Sequence, residues 1–482
     1  MTTPDRIKKI DPNIPFLKAH LNDGSVALFT QWTFDEPHKQ VMGYGVLFNA
    51  DREIEKEGQD TITLDRIALF ETNEIIPSGA SGAMAVITVG SAVVSIACLT
   101  NPKACFGSCP TFYAEDGGGM SLMAEGFSAS ILPSLEATDI DHLYTAKPSS
   151  QLFELKVTNE ALETHVIRSV SLLAIPRPNG KRIFISPDNQ FFSAENITAP
   201  KSCVGSEGEH AELLQSFDKL ERFSLADSFD LAERETLIVS FDAVPAGKIG
   251  LVASFRQTLL TTYLFYQTLA YFGNSAAAML AKCESSDLKD YIGKPGQILG
   301  GIEILLPNEK GKLIKVGEFG ETGPIATNIQ LLPLPNDLPF PHTLYIRMAK
   351  GMWRINHLAL ASIDTAVEPL RVMPSRVLLA NNNDLETLKG LIEKTKPLVT
   401  FPGDEYKIVF ELPQDYDRYE IFLQSRGYYL EWLREEWLAD ENIDKGIEMF
   451  TQPEKSMKSE ALRFKNIEPT METSFWGSKY VK

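Results

Sequence analysis

Short runs in which apolar and polar residues alternate make up most of this sequence, and they constrain its fold more than any other feature. Such runs fill 16–72, 110–175 and 296–372, with turn residues between them. At 22–24 the turn NDG separates FLKAHL from SVALFTQWTF, and an Asp-Gly pair between alternating runs predicts a β-hairpin. Because alternation with a period of two puts every second side chain on one face of a strand, the sequence predicts a mainly β protein.

Length and composition predict several packed units. A chain of 482 residues is too long for a single hydrophobic core, and 44% hydrophobic residues are enough to make it globular throughout. The strand pattern favours a small β-roll and β-sandwich or jelly-roll modules. The predicted segments are an extended leader at 1–15, a small β-roll at 16–74, an apolar small-residue helix at 75–102, a β-rich domain at 103–255, a buried helical segment at 256–292, a jelly-roll-like β-sandwich at 293–375, and an α+β C-terminal region with a docking tail at 376–482.

Two long uncharged runs interrupt the strand pattern and predict two apolar helices, buried or membrane-facing. Residues 75–102 would span a bilayer as a helix that rises about 1.5 Å per residue, but their many small residues favour a helix buried between domains. Residues 257–281 are apolar on all sides of a helical wheel, which is typical of a buried helix. Gly273 and Asn274 tolerate a left-handed backbone, so we expect this helix to end or kink there.

The charge balance excludes one class of partner. The chain has 46 Lys and Arg against 64 Asp and Glu, a formal net charge of -18, and it contains no run rich in Lys or Arg. Because binding to phosphates requires clustered cations, no nucleic-acid partner is expected.

Residues 1–15 lack the apolar segment of a signal peptide, which predicts a cytoplasmic protein if Met1 is the true start. A mature exported chain with an added methionine would look the same.

Two of the five cysteines form a local motif. Cys105 and Cys109 in ACFGSCPTFYAEDGGG have three residues between them, whereas zinc knuckles and thioredoxin motifs have two. Pro110 and the strand-like TFY follow, where a redox pair would need the N-terminus of a helix. We predict a disulfide at the entrance of a hairpin if the chain is exported, or two buried thiols if it is cytoplasmic. No metal or cofactor is predicted.

Complete catalytic motifs are missing from the sequence. It contains no Walker loop, dinucleotide fingerprint or HExxH motif. GFSAS at 126–130 has Ser130 where a nucleophile elbow requires glycine for its tight turn. These observations favour a role other than catalysis.

Five segments spread over most of the chain carry a common resemblance. They are CFGSCPTFYAEDG, LMAEGFSASILPSLEATDIDHLY, LKVTNEALETHVI, RQTLLTTYLFYQTLAYFG and FPGDEYKIVFELP. Together they resemble a family of poorly characterised bacterial envelope proteins, commonly lipoproteins. The resemblance implies an exported, membrane-tethered, β-rich protein in the periplasm or at the outer membrane. The chain departs from that pattern in lacking a lipobox cysteine at its start.

We therefore expect a non-enzymatic cell-envelope subunit or binding module that engages a protein partner or a glycan within a larger assembly. Aromatic side chains are the candidates for binding because they offer large apolar faces, although they also fill cores. The candidate binding residues are Trp353, Trp432, Trp437 and Trp476.

Two alternative functions stay open at this point. A hydrolase of an envelope polymer would use carboxylates such as Glu125, Asp139 and Asp141, converging in a cleft at a spacing of roughly 5–10 Å. An integral-membrane assembly protein would be anchored by 75–102.

Overall fold

The computed structural model of the protein describes residues 2–73, 109–218, 220–285, 294–320, 322–336, 342–433, 435–438 and 440–477. Within these ranges the strands pair antiparallel in five sheets, and the mainly β fold class that the alternating runs predict is confirmed. The predicted helix at 75–102 and Cys105 lie outside the described residues.

The strands are named in chain order. Those before residue 215 are β1 (Leu17–Leu21), β2 (Val26–Asp35), β3 (Gln40–Phe48), β4 (Ile54–Thr63), β5 (Ile67–Glu71), β6 (Thr111–Glu115), β7 (Met120–Glu125), β8 (Ala137–His142), β9 (Leu152–Thr158), β10 (Glu163–Pro176), β11 (Arg182–Ile185), β12 (Phe191–Thr198), β13 (Ser202–Gly205) and β14 (Gly208–Glu209). Those after it are β15 (Arg222–Phe223), β16 (Arg234–Ser240), β17 (Ile249–Gln257), β18 (Ile302–Pro307), β19 (Leu313–Phe319), β20 (Asn328–Pro333), β21 (Thr343–Ala349), β22 (Trp353–Val367), β23 (Leu370–Val372), β24 (Pro374–Leu379), β25 (Asn382–Asn383), β26 (Leu398–Thr400), β27 (Glu405–Glu411) and β28 (Tyr419–Glu431).

Within the described residues, all α-helices lie in the second half of the chain. The described α-helices are α1 (Leu260–Phe272), α2 (Ala276–Ser285), α3 (Lys294–Leu299), α4 (Leu385–Glu393), α5 (Ile443–Thr451) and α6 (Pro453–Gly477). Short 3-10 helices cover Pro4–Lys9, Leu64–Arg66, Pro133–Leu135, Ala211–Leu214, Gly273–Ser275, Tyr416–Arg418 and Glu435–Leu438.

The strand orders define the five sheets. Sheet I is β4-β3-β2-β1-β5, sheet II is β25-β24-β27-β9-β6-β7, sheet III is β23-β10-β28-β8 with β26 beside β10, sheet IV is β11-β12-β22-β17-β20 with β15 beside β22, and sheet V is β14-β13-β16-β21-β18-β19.

Sheet I and the chain before it share one small core. The structure differs here from the extended leader expected at 1–15, because Pro4–Lys9 form a 3-10 helix. Ile7, Ile10 and Ile14 are buried against sheet I. In a helix of three residues per turn Ile7 and Ile10 lie on one side, so this short amphipathic turn covers the sheet.

Sheets II and III pack face to face around a second core. Phe112, Val157 and Phe410 from sheet II meet Val170 and Leu423 from sheet III, and all five side chains are buried. The strands of this sandwich come from two distant parts of the chain, before β11 and after β22.

Sheets IV and V form a third core from the chain that lies between those two parts. Leu251 and Leu358 of sheet IV are buried in one cluster with Leu237, Ile304 and Ile346 of sheet V. Strands β18 to β22 are divided between these sheets, and three of them, β20, β21 and β22, pair with strands that precede α1. The segment 293–375 therefore does not close a sandwich by itself. The sequence could not reveal this, because an alternating pattern identifies strands but not the strands with which they pair.

Helix α1 lies inside the same core as sheets IV and V. Most of its side chains are buried, among them Leu260, Leu264 and Leu269. The helix ends at Phe272, and Gly273 follows at a φ of +47°, which matches the kink that the sequence predicts. None of the helices in the described ranges combines the length and the apolar character that crossing a membrane requires.

Four polar groups connect sheet I to helix α2 and to the end of β28. Lys18 of β1 is fully buried, and its Nζ lies 2.7 Å from Glu284 Oε1 and 3.3 Å from Glu71 Oε2. His20 Nε2 is 2.9 Å from the same Glu71 oxygen, and the Leu433 N–H donates to Glu71 Oε1. Burial opposes ionisation of Glu71, but the charge of Lys18 and the contacts with His20 outweigh it and hold the Glu71 pKa well below its ordinary value. We call these four side chains the Lys18 cluster.

We predict that Gly273→Ala destabilises the fold by roughly 1–3 kcal/mol, because its backbone lies in a region that L-residues rarely occupy. An added Cβ would also lie 2.5 Å from the Glu441 Cβ. Denaturant unfolding measures the change. Gly296→Ala in α3 is the control, since no atom lies within 4 Å of its added methyl group. Equal stabilities for both variants would contradict the prediction.

We predict that Lys18→Met lowers the free energy of unfolding by about 3–5 kcal/mol at neutral pH, because it leaves two buried carboxylates without their cation. At pH values above 4.5, the ordinary pKa of a Glu side chain, the depressed pKa of Glu71 stabilises the fold. This contribution is lost as the pH falls below 4.5. The difference from wild type should therefore shrink in acid. Lys8→Met removes an exposed ion pair with Glu36 and should change little. A pH-independent difference would contradict this account.

Candidate functional site

Five large apolar side chains on two neighbouring segments are exposed to solvent. Phe229 is 81% exposed and Leu462 of α6 is 63% exposed, and the remaining members are at least 40% exposed. We call these side chains the apolar surface. Its members are Leu220, Phe223, Leu225, Phe229 and Leu462.

Buried anchors explain why the segment 220–231 presents these side chains outward. Ala226 and Leu231 are buried in the core of sheets IV and V. The Ala226 N–H donates to Glu468 Oε1 of α6 at 2.7 Å, and the Leu231 N–H donates to the Met457 carbonyl at 3.2 Å. The chain between the two anchors therefore lies along α6.

Leu462 faces the same segment from helix α6. It lies one turn from Lys458 and one turn from Lys465, so the three side chains share a face of the helix. Lys465 Nζ donates to the Ala226 carbonyl at 2.7 Å, and Lys458 Nζ lies 3.9 Å from Asp230 Oδ2. Because both lysines reach the segment, Leu462 between them lies beside it.

Two arginines hold the start of the segment. Arg256 of β17 donates to both oxygens of Glu221, at 2.6 and 2.7 Å, and Arg354 of β22 donates to one of them at 3.4 Å. The Arg354 guanidinium also stacks on the Phe223 ring, 3.8 Å from its centroid. The ring is thus supported on one side by a cation, which fixes its orientation.

Arg222 anchors β15 from within the core. It is fully buried, and it donates to Glu235 Oε1 at 2.6 Å and to Glu207 Oε2 at 3.0 Å. Burial opposes its charge, but the hydrogen bonds and the attraction of Glu235 raise the Arg222 pKa above its ordinary value. Since neighbours on a strand point to opposite faces, burial of Arg222 turns Phe223 outward.

The structure places three of the predicted binding tryptophans in cores. Trp353, Trp432 and Trp437 are all buried, and Trp432 Nε1 donates to Thr164 Oγ1 at 2.9 Å. Trp476 belongs to α6, but its side chain lies outside the described residues. The three described indoles fill space between elements and are not presented at a surface.

Cys109 is a buried thiol just before β6. Its Sγ donates to the Ser128 carbonyl at 3.6 Å. Burial, and then the negative charges of Glu125 and Glu163, raise the Cys109 pKa well above its ordinary value, so the thiol stays protonated. Because Cys105 lies outside the described residues, the disulfide stays a prediction.

The three carboxyl groups of the hydrolase alternative do lie together, with Glu125 and Asp141 buried and Asp139 half-buried. Asp139 and Asp141 are two residues apart on β8 and share a face, and Glu125 ends the neighbouring β7. Burial raises the pKa of Asp139. Burial, followed by the charges of Asp139 and Glu125, raises the Asp141 pKa well above its ordinary value.

Within the described residues, this carboxyl group cluster neither holds the ligands of a metal ion nor lines the two surface clefts. Among the residues that the structure describes, no three His, Cys, Asp or Glu side chains are arranged to hold a metal ion. Two surface clefts of about 380 and 340 Å³ are lined by 378–381 with 403–407, and by residues around Glu115 and Leu152. Neither cleft is lined by Glu125, Asp139 or Asp141.

Sequence reasoning missed the apolar surface. Its main segment, in the run LERFSLADSFDLA, lies in a turn-rich stretch where apolar residues recur without a fixed period. Such a run gives no signal of which side chains are buried.

No protein-family model, curated protein or solved structure matches this chain. The interpretation of the surface therefore depends on its own geometry.

We predict that Glu221→Gln loosens the apolar surface, because two largely buried arginines then lose a charged partner. The expected cost is about 1–3 kcal/mol of stability, with faster amide hydrogen exchange in 220–231. Hydrogen-exchange mass spectrometry and denaturant unfolding measure both effects. Glu386→Gln, which removes one charge of an exposed pair with Lys396, is the control. Unchanged exchange in 220–231 would contradict the prediction.

Proposed function

We propose that this protein is a non-catalytic binding subunit and that its apolar surface binds another protein within a larger assembly. The observation that carries the proposal is the exposure of Phe229 and Leu462 on adjacent segments. Burying one such side chain contributes roughly 1.5–3 kcal/mol, and grouped exposed apolar side chains mark interaction sites.

The composition of the surface favours a protein over a glycan. Three of its five members are leucines, whose branched side chains cannot stack on a sugar ring. The tryptophans that are described are buried, so they offer no stacking platform. Phenylalanine is among the side chains that are enriched in protein–protein contacts, and the buried centres of such contacts are apolar.

Charges of both signs surround the apolar members. Lys458 of α6 lies 3.9 Å from Asp230 of the segment, and Lys465 pairs with Glu468 at 3.2 Å. We infer a partner with an apolar centre and a rim of mixed charge. Such rims contribute to orientation and association rate more than to affinity.

The burial of Glu125 and Asp141 supports binding over hydrolysis of a polymer. A retaining or inverting glycosidase needs two carboxyl groups on either side of a bond of the substrate, with room for that substrate between them. Glu125 and Asp141 lie in the interior, Asp139 is half-buried, and none of the three lines the two surface clefts described above.

The resemblance to envelope lipoproteins adds a location to the proposal, namely a partner within the bacterial cell envelope. The intact mass of the protein from its native source tests this part, before and after reduction and alkylation. A processed or lipidated start with one blocked cysteine pair would support it. An unmodified Met1 with five free thiols would overturn it.

We predict that the double change Phe229→Ser and Leu462→Ser weakens partner binding at least about 30-fold, roughly 2 kcal/mol, because both side chains lose apolar contact. A photo-crosslinking residue at position 229 identifies the partner in cells, and titration of the purified pair gives the dissociation constant. The stability of the variant should stay within about 0.5 kcal/mol of wild type, since both residues are exposed.

Leu385→Ser is the matched control, because Leu385 is 73% exposed on a different helix and should leave binding unchanged. A captured protein supports the proposal only if the double variant loses it and the Leu385 variant keeps it. Equal binding by all three proteins would overturn the proposal. Cross-links from position 229 to a second copy of the chain alone would also overturn it.

A further inference from the structure

One tight turn carries the chain from sheet III to sheet IV, between the end of β10 and the start of β11. The Lys181 N–H donates to the Pro178 carbonyl at 3.0 Å, so the two central residues of the turn are Asn179 and Gly180. Gly180 has a φ of +76°, the left-handed backbone that the third residue of a type II turn requires. The geometry of this turn therefore favours glycine directly after the asparagine.

Both central residues of the turn are open to solvent. Asn179 and Gly180 are exposed, and a Cβ added at Gly180 would meet no atom within 4 Å. Within the part of the chain that the structure describes, no hydrogen bond engages the Asn179 side chain or the Gly180 N–H. Asn179 is also the one asparagine of the sequence that glycine follows. Its side-chain amide and the next backbone nitrogen are thus accessible to each other and to water.

We propose that Asn179 is a site of spontaneous deamidation. Hydroxide removes the proton of the Gly180 backbone nitrogen, which then attacks Cγ of Asn179. The new C–N bond closes a succinimide ring, the Cγ–Nδ2 bond breaks, and the leaving nitrogen takes a proton from water and departs as ammonia. Glycine promotes this closure because no Cβ shields its nitrogen.

Water completes the reaction at the succinimide. It adds to one of the two ring carbonyls, and the bond between that carbonyl and the ring nitrogen breaks. Opening at one carbonyl gives aspartate, and opening at the other gives isoaspartate. The overall change is an amide and water converted into a carboxylate and ammonium, so no oxidant or reductant is needed. Isoaspartate also moves Cβ into the main chain, which lengthens the backbone by one carbon.

The protein holds the chain on both sides of this turn. On the side of β10, the Arg177 N–H donates to the Arg418 carbonyl at 2.7 Å. On the side of β11, Arg182 donates to the two oxygens of Glu420, at 2.6 and 2.9 Å. Because both sides are held, the longer backbone of isoaspartate has to displace one of them. We expect it to loosen Arg182 from Glu420, and with it the contact of sheet IV with sheet III.

Asp23 provides an internal control, because an aspartate followed by glycine closes the same ring with loss of water. The Gly24 N–H donates to the Leu21 carbonyl at 3.0 Å, and Asp23 Oδ1 accepts from the Ser25 N–H at 3.0 Å. Here the attacking nitrogen and the side chain are both held by the fold. This pair should react only after the hairpin opens.

Peptide mapping of the intact protein after incubation at mildly alkaline pH tests the site. We expect loss of the unmodified peptide that contains Asn179 and gain of two heavier species, equal in mass and different in retention. The rate at Asn179 should be within about tenfold of the rate in denaturant, because no opening is needed. Isomerisation of Asp23 should be at least about a hundredfold slower in the folded protein than in denaturant.

Hydrogen exchange measures the structural consequence. The Ile183 N–H donates to Glu420 Oε2 at 3.3 Å, so its exchange reports on the contact that isoaspartate loosens. We expect it to be at least about tenfold faster in the isoaspartate form than in fresh protein. Asn179→Asp adds the charge without the longer backbone, and fresh Asn179→Asp protein should exchange like wild type. Asn179→Gln cannot close the same ring and should stay unmodified after incubation.

Two results would overturn the proposal. One is an Asn179 that persists in the folded protein while it reacts in denaturant, a measurement that needs no variant. The other is an isoaspartate form whose Ile183 exchange equals that of fresh protein, which would overturn the loosening. The turn contains no member of the apolar surface, so the deamidation site and the proposed function are tested separately.

Discussion

The long antiparallel pairing of β10 with β28 is the constraint on which the rest of the fold depends. It runs from Glu163 opposite Glu431 to Pro176 opposite Tyr419, and it brings together segments separated by all of sheets IV and V. Closing so long a loop costs entropy, but that cost grows only logarithmically with length. Hydrogen bonds along the ladder and fully buried side chains such as Leu172 and Leu423 offset it. The unit of sheets IV and V is thus held at both of its ends by one pair of strands.

Buried ion pairs then decide how the separate cores meet. The Lys18 cluster connects sheet I to α2, Arg222 connects β15 to β16, and Arg256 connects β17 to the segment that carries the apolar surface. Removing charges from water is costly, so such pairs add less net stability than their short distances suggest. These pairs instead fix how the elements pack, because any other packing would leave a buried charge without its partner. The apolar surface is consequently presented by a segment with few alternative positions, which reduces the entropy lost when a partner binds.

Part of the candidate site could be predicted from local pattern. The spacing of Asp139 and Asp141 puts both on one face of a strand, and the Gly-rich turn at 117–119 separates β6 from β7 as in the predicted hairpin. The outward side chains of 220–231 could not be predicted, because their exposure depends on anchors in α6, more than 200 residues away in the chain. Contacts between distant parts of the chain also explain why the described candidate tryptophans are buried. Residue type made them candidates for a surface, and packing between distant elements put Trp353, Trp432 and Trp437 inside.

The sequence by itself determined the mainly β class, the positions of many strands, the helix at α1 and its end at Gly273. These features arise from interactions among near neighbours, namely the two-residue period of a strand, the wheel of a helix and the conformational freedom of glycine. Only the tertiary structure decided which strands pair, which carboxyl groups converge and which apolar side chains stay in water. Those outcomes depend on contacts between residues far apart in the chain, and periodicity records which face a residue occupies but not what covers that face.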